Sequence, residues 1–244
     1  MRRHPLAHML AIAAVASAGG IALALAIDWF PQSAATRALK VDREFDVLLI
    51  VSVPIFVLIQ TVVLYSVWRF RMRPGEELKD GPPTHGNTPL EVLWTAVPGI
   101  LIASLVTYAF VVLDDIERRQ PRALSVNVIA QQFAWNFDYP RPSGEPVRST
   151  VLYLPQGRPV EFRVRSLDVV HSFFVPAFRA KIDAVPGITT DLRVTPTRRG
   201  RYPVLCAELC GLGHAVMRAS VVVLAPNEFQ AWLAKQSRDA TGNA

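Results

Sequence analysis

The chain has 244 residues, 51% of them hydrophobic, a formal net charge of +6 and a mean hydropathy of +0.26. That is too apolar for an ordinary soluble protein of this length and too mixed for one wholly embedded in lipid, so a part-membrane, part-aqueous protein is expected. The basic residues are scattered or flank apolar runs and form no aromatic-interleaved patch, which argues against a nucleic-acid partner.

Residues 1–27 open with Arg2 and Arg3 before an apolar run from Met9 to Ile27. Ala16-Ser17-Ala18 and Ala24-Leu25-Ala26 suit a signal peptidase, while the length of the run also suits a spanning helix, so leader peptide and extra membrane helix both stand. Either way the following segment is exported, because positive charge stays on the cytoplasmic side. Residues 28–46 read as an exported polar connector. Val47–Trp68 is then long enough for a membrane helix of about 33 Å. Arg69, Arg71, Arg73 and Lys79 follow, with the turn-rich Gly81-Pro82-Pro83, and mark residues 69–91 as a cytoplasmic loop. A second helix over 92–113 returns to the outside and ends at Asp114-Asp115. Pro54 and Pro98 lie inside the two spans, where neighbouring groups satisfy freed carbonyls.

From about Ala123 the pattern changes to short β-type runs: 124–130, 133–139, 151–154, 160–164, 169–175, 190–194, 201–205 and 216–224. Turns such as Pro142-Ser143-Gly144, Gln156-Gly157, Pro186-Gly187 and Arg199-Gly200 separate them. Seven or eight strands in roughly 100 residues predict an antiparallel sandwich over 123–225. Pro226–Gln236 carries Phe229, Trp232 and Leu233 at helical spacing, and Asp239–Ala244 reads as a disordered tail.

Both cysteines fall in Cys206-Ala-Glu208-Leu-Cys210-Gly-Leu-Gly-His214-Ala-Val-Met217. Thiolate, imidazole and thioether are the donors copper takes in preference to hard cations. His171, in Asp168-Val-Val-His171, is the natural fourth strong ligand. A single blue-copper ion needs only one cysteine, whereas two thiolates can bridge two ions, each finished by a histidine, with Met217 and the Glu208 carbonyl as weak outer ligands. A Cys206–Cys210 disulfide and a Cys2His2 zinc site are the competing readings of the same residues.

That ligand set resembles the dinuclear copper centre of cytochrome c oxidase subunit II, and the resemblance extends from Phe45 to Gln236. It implies a membrane-anchored helical hairpin followed by an all-β cupredoxin sandwich. The implied copper ligands are His171, Cys206, Glu208 through its carbonyl, Cys210, His214 and Met217. It also implies a magnesium-type ion on the Glu208 carboxylate at the boundary with the haem-bearing subunit I, a boundary that Phe178–Gly187, with Lys181 and Asp183, resembles as well. Gln132–Tyr139 resembles the aromatic stretch over the copper site, so Phe133 and Trp135 become the expected electron entry. Many relatives have tryptophan where this chain has Phe133. Glu91, in Glu91-Val-Leu-Trp94-Thr-Ala-Val-Pro98, matches a glutamate at the mouth of a proton channel. Thr88-Pro89-Leu90-Glu91 is equally a helix-capping box, and the two roles are compatible.

The function implied is electron transfer from cytochrome c to haem in subunit I, where dioxygen is reduced to water with proton translocation. The alternatives are the copper subunit of a nitric oxide reductase and a membrane-anchored copper carrier. No Cys-x-x-Cys-His occurs, so no covalently attached haem is expected. From Asp114 onward there are 17 Lys and Arg against 12 Asp and Glu. A docking face for a basic cytochrome c would be acidic, so a less basic donor or a tethered cytochrome is expected.

Overall fold

The computed structural model describes residues 5–72, 74–75, 83, 85–142 and 144–242. Arg2, Arg3, Arg73, Lys79, Gly81, Pro82, Ser143 and the last two residues lie outside them. The chain divides into two compact units, Met1–Asp28 with Arg43–Val111 and Trp29–Asp42 with Val112–Ala244.

The first unit is built on three helices, α1 (Pro5–Ala26), α2 (Thr36–Phe70) and α3 (Thr88–Glu117). All three are long and apolar enough to cross a membrane. Phe56, Leu64, Ile100 and Phe110 are each more than 60% exposed, a surface suited to lipid rather than water. Helices satisfy their own backbone groups in hydrocarbon, and the hydroxyls of Thr95, Ser104 and Thr107 donate to carbonyls one turn back on α3. A Cβ on Gly20 would lie 2.8 Å from Val53 Cγ1, so α1 and α2 approach on a small residue.

Hydropathy misplaces the ends of α2 and α3. α2 starts at Thr36, so most of the expected connector is helix; Thr36–Asp46 is charged but made largely of good helix formers, and hydropathy registers only the apolar part. α3 runs from Thr88 to Glu117, beyond the 92–113 expected. Its cap is also one residue earlier than the sequence suggests. Asn87 Oδ1 accepts from Leu90 N at 3.2 Å and Glu91 Oε1 accepts from Asn87 N at 3.1 Å, which puts Thr88 and Pro89 at the first two helical positions.

The second unit is a two-layer sandwich. One sheet has the order β3 (Val147–Ser149), β2 (Ala134–Tyr139), β1 (Leu124–Gln131), β5 (Val160–Ser166), β8 (Thr190–Val194). The other has the order β4 (Leu152–Pro155), β10 (Arg218–Leu224), β9 (Gly200–Cys206), β6 (His171–Val175), β7 (Ala180–Ala184). The expected all-antiparallel pairing is corrected, since β1 runs parallel to β5 and β10 parallel to β4. Such pairs join strands distant in sequence and leave no local turn signal.

Alternate residues of β1 and β5 (Val126, Val128, Phe162, Val164) meet Phe173, Val175, Val204 and Val221 of the facing sheet, all buried. Phe173 is central, with the rings of Trp135, Phe137 and Phe162 edge-on at 5.6, 6.4 and 5.4 Å. The tail expected to be disordered is helical as far as Gly242, because α4 (Pro226–Gly242) meets no breaker before that glycine. Its Trp232 stacks on Tyr153 at 4.4 Å, and Phe229 is fully buried. Tyr139 hydroxyl donates to Tyr153 O and accepts from Tyr153 N, tying β2 to β4.

Candidate metal centre

Three strand ends converge at one end of the sandwich. β6 begins with His171, β9 ends with Cys206, and the two strands are neighbours, Phe173 pairing with Cys206. The loop from Ala207 to Met217 then returns to β10. Ala207 N donates to Ser172 O at 2.9 Å, and the turn His214–Val216 closes through His214 N to Gly211 O and Met217 N to Gly213 O. The sheet register therefore fixes both ends of the loop, and short-range hydrogen bonds fix its middle.

All six expected ligand positions come together. Cys206 Sγ lies 3.8 Å from Cys210 Sγ, 3.9 Å from His171 Nδ1 and 3.2 Å from Glu208 O. Cys210 Sγ lies 3.7 Å from His214 Nδ1 and 3.8 Å from Met217 Sδ. Both cysteines are free, and their sulfurs are far beyond the ~2.05 Å of a disulfide. Metal–sulfur and metal–nitrogen bonds of roughly 2.3 and 2.0 Å about one tetrahedral ion would place the two donors about 3.5 Å apart. The observed sulfur–imidazole separations match two ligands of one ion and exceed a strong hydrogen bond. The donor set thus fits soft metal ions. Burial first, and then the neighbouring Cys206 thiol, push the Cys210 thiol up to about 11, so without metal it keeps its proton at neutral pH.

Two supporting residues lie in stretches that the sequence singles out without assigning them roles. Asp168 Oδ1 lies 2.8 Å from His171 Nε2, leaving Nδ1 to face the thiols. Burial alone would raise the Asp168 carboxyl. Hydrogen bonds from His171, from the Gln132 and Val169 amides and from the Ser166 hydroxyl outweigh that and hold it at about 2. Gln132 donates its side-chain amide to Cys210 O at 2.6 Å, clamping the loop from the facing sheet. Such outer partners typically change metal affinity by about 10- to 100-fold. Asp168→Asn is therefore expected to weaken binding of a soft metal ion by roughly tenfold or more with the sandwich intact; a competition titration giving unchanged affinity would remove Asp168 from the site.

Phe133 is partly exposed and rests on the loop: a Cβ on Gly213 would come within 2.4 Å of its ring. Gly211 adopts φ +128°, which also favours glycine. Trp135, the other expected electron-entry aromatic, is 2% exposed and edge-on to His171 at 6.2 Å, so it lies inside the sandwich and not at its face. Strand alternation sends it inward. The Glu208 carboxylate is exposed and has no partner among the described residues. Lys181 and Asp183 form a half-exposed pair at 3.7 Å. Glu91 is occupied as a helix cap.

A membrane-anchored cupredoxin sandwich with two thiols, two imidazoles and a thioether at one end defines a class, the tethered soft-metal electron-transfer proteins. Comparison narrows it. Residues 22–112 match the family model for the cytochrome c oxidase subunit II transmembrane domain, and residues 146–224 that for its periplasmic domain. Cytochrome c oxidase subunit 2 of Thermostichus vulcanus is 32% identical over 265 residues, covering 86% of this chain and 79% of that one. The alternative cytochrome c oxidase subunit 2 of Bradyrhizobium diazoefficiens is 30% identical over 246 residues, covering 89% and 88%. Among solved structures, the periplasmic domain of subunit II of cytochrome oxidase from Bradyrhizobium japonicum aligns with 26% identity and a TM-score of 0.46, covering 49% of this chain and 97% of that one.

The chain belongs to the cytochrome c oxidase subunit II family. It is the electron-transfer subunit of that respiratory oxidase, anchored in the membrane with its sandwich domain outside.

Proposed function

We propose that His171, Cys206, the Glu208 carbonyl, Cys210, His214 and Met217 hold two copper ions as a dinuclear centre that receives electrons from cytochrome c and passes them to haem in subunit I. One observation carries this reading. His171, Cys206 and Cys210 offer donor atoms within 4.8 Å of one another, and His214 stands outside that group although its Nδ1 lies 3.7 Å from Cys210 Sγ. One tetrahedral ion would draw all four donors into one group, whereas two ions would each take one imidazole and leave the two imidazoles apart. When bound, the copper pair supplies a one-electron store. The chain's own residues supply rigidity: strand register, the Asp168 anchor and the Gln132 clamp hold the donors where they are, so little reorganises on a change of charge.

The Glu208 carboxylate remains for a magnesium-type ion at the boundary with subunit I, as only its carbonyl faces the thiols. Copper analysis and EPR of the full chain test the centre. Two ions per chain and a hyperfine pattern shared by two copper nuclei are expected; a single ion, or a Cys206–Cys210 disulfide that persists on copper loading, would defeat it.

Exposed apolar side chains ring the loop: Phe133, Val169, Val170, Leu209, Leu212 and Val216. The donor therefore docks here by apolar contact, with Phe133 the aromatic at its face. Among residues 207–217 Glu208 is the single acid, so turnover with a basic cytochrome c is expected to change only weakly with ionic strength. A basic donor that is strongly preferred and loses that preference in salt would count against this.

A further inference from the structure

Within the second unit, away from the metal centre, the first turn of α2, the last turn of α3 and strands β5 and β8 enclose a cavity of about 120 Å³. That is many times the ~10–15 Å³ one water requires. Five cationic side chains line it, Arg37, Lys40, Arg118, Arg119 and Arg193, against the carboxylates of Asp115 and Glu161.

Two of the arginines are held but not satisfied. Arg37 Nη1 donates to Arg193 O at 3.0 Å, and no carboxylate lies within ion-pair distance of Arg37 among the described residues. Arg193 is 16% exposed, bonded to Glu161 at 2.7 Å and to Glu117 O at 3.0 Å, with the Asp191 carboxylate 3.5 Å from the same Nη2. The Nε atoms of both are buried and have no acceptor. A buried guanidinium N–H without a partner is costly, and an anion with several oxygens is the chemistry that serves two forks at once.

The acids around the cavity pair with the cations without filling the Nε positions of Arg37 and Arg193. Lys40 is paired with Asp115. Arg118 and Arg119 meet Asp114 and Asp191 only at exposed pairs of 3.1 and 3.6 Å, which are weak. The remaining nearby acid, Glu117, offers Arg193 its main-chain carbonyl and favours the Arg37 charge from beyond ion-pair distance.

We propose that this cavity is a binding site for the phosphate of an anionic phospholipid headgroup, held between Arg37 and Arg193. Chain position selects a lipid over a free ion. Asp115 comes two residues after Leu113, where the apolar run of α3 ends, and the apolar run of α2 begins at Val47, about 10 Å along the helix from Lys40. Those offsets, about 3 and 10 Å, lie on either side of the headgroup layer, which adds roughly 5–8 Å on each side of a hydrocarbon core of about 30 Å.

Native mass spectrometry of the full chain in detergent, titrated separately with phosphatidylglycerol, phosphatidylcholine and inorganic phosphate, tests the site. Phosphatidylglycerol is expected to bind roughly tenfold tighter than phosphatidylcholine, and phosphate alone to be retained weakly. Arg37→Gln and Arg193→Gln are each expected to lose about tenfold, Arg37→Lys to recover part of that loss, and Arg201→Gln on the other sheet to change nothing. Equal retention of the two lipids, or phosphate competing as well as the lipid, overturns the proposal from the unmodified chain alone. Unchanged lipid affinity in a folded Arg37→Gln chain, judged by circular dichroism, overturns it as well.

Discussion

Cys210→Ser is expected to abolish electron transfer from cytochrome c and to leave a chain unable to hold a copper pair. Cys210 Sγ lies 3.7–3.8 Å from Cys206 Sγ, His214 Nδ1 and Met217 Sδ. Removing it strands His214 and Met217, whose only sulfur neighbour it is, and leaves Cys206 with His171 and the Glu208 carbonyl. Cys206→Ser should behave differently. It retains Cys210, His214 and Met217 with His171 nearby, which are the donor types of a mononuclear blue-copper site. One ion per chain, an intense blue colour and the hyperfine pattern of a single nucleus are therefore expected for Cys206→Ser, and no coloured copper species for Cys210→Ser. Because the chain is the oxidase's electron-transfer subunit, both variants should lose turnover with cytochrome c. If the two variants give the same copper spectrum, or either keeps two ions, the unequal roles given to the two thiols are wrong.

The donor set is legible in the amino-acid sequence because its residue types are rare and crowded into one loop. Two cysteines, a histidine and a methionine within twelve residues restrict the chemistry, and His171 is named by its neighbours in sequence. Asp168 and Gln132 are not assignable in that way. Asp168 acts on a histidine three residues away but is held by the Gln132 amide, 36 positions back, and Gln132 reaches Cys210 across 78 positions. Neither contact has a local pattern. The same limit explains the strands. β3 has three residues, and β7, Ala-Lys-Ile-Asp-Ala, turns inward mainly alanine, so neither shows the β-branched alternation that marks a strand. The membrane helices are misread only at their ends: hydropathy detects lipid, and the charged turns of α2 and α3 that continue beyond the apolar runs give it nothing to detect. The cavity of Arg37 and Arg193 joins residues 156 positions apart and has no signal in the sequence.

Arg179→Ala is expected to release the segment Trp29–Asp42 from the sandwich, at a cost of about 3 kcal/mol. Arg179 is 7% exposed and follows the turn Pro176–Phe178. Its guanidinium bonds both oxygens of Asp42 at 2.7 and 3.0 Å, Pro31 O at 2.7 Å and Pro176 O at 2.8 Å, with Phe30 4.7 Å below. Breaking a buried pair from one side costs roughly 3–5 kcal/mol, and the partial exposure of Asp42 sets the low end here. The rest of the attachment is thin: Ala34 N to Ala177 O, Thr197 N to Ala34 O and Thr36 N to Thr195 O, around the buried Ala34, Ala35 and Ala38. Amide exchange at Ala34, Thr36 and Thr197 should accelerate about a hundredfold, while the β1 and β5 amides of the central sheet keep their protection. Backbone conformation adds a second comparison. Arg179 has φ +50°, a region that costs a side-chain-bearing residue about 1–2 kcal/mol and glycine nothing. Arg179→Gly loses the same bonds but sheds that strain, so its segment should exchange roughly fivefold or more slower than that of Arg179→Ala. Should the two variants exchange alike, the arginine's strained backbone contributes nothing; should neither exceed the unmodified chain, the ion pair is not what fastens the segment that leads into α2.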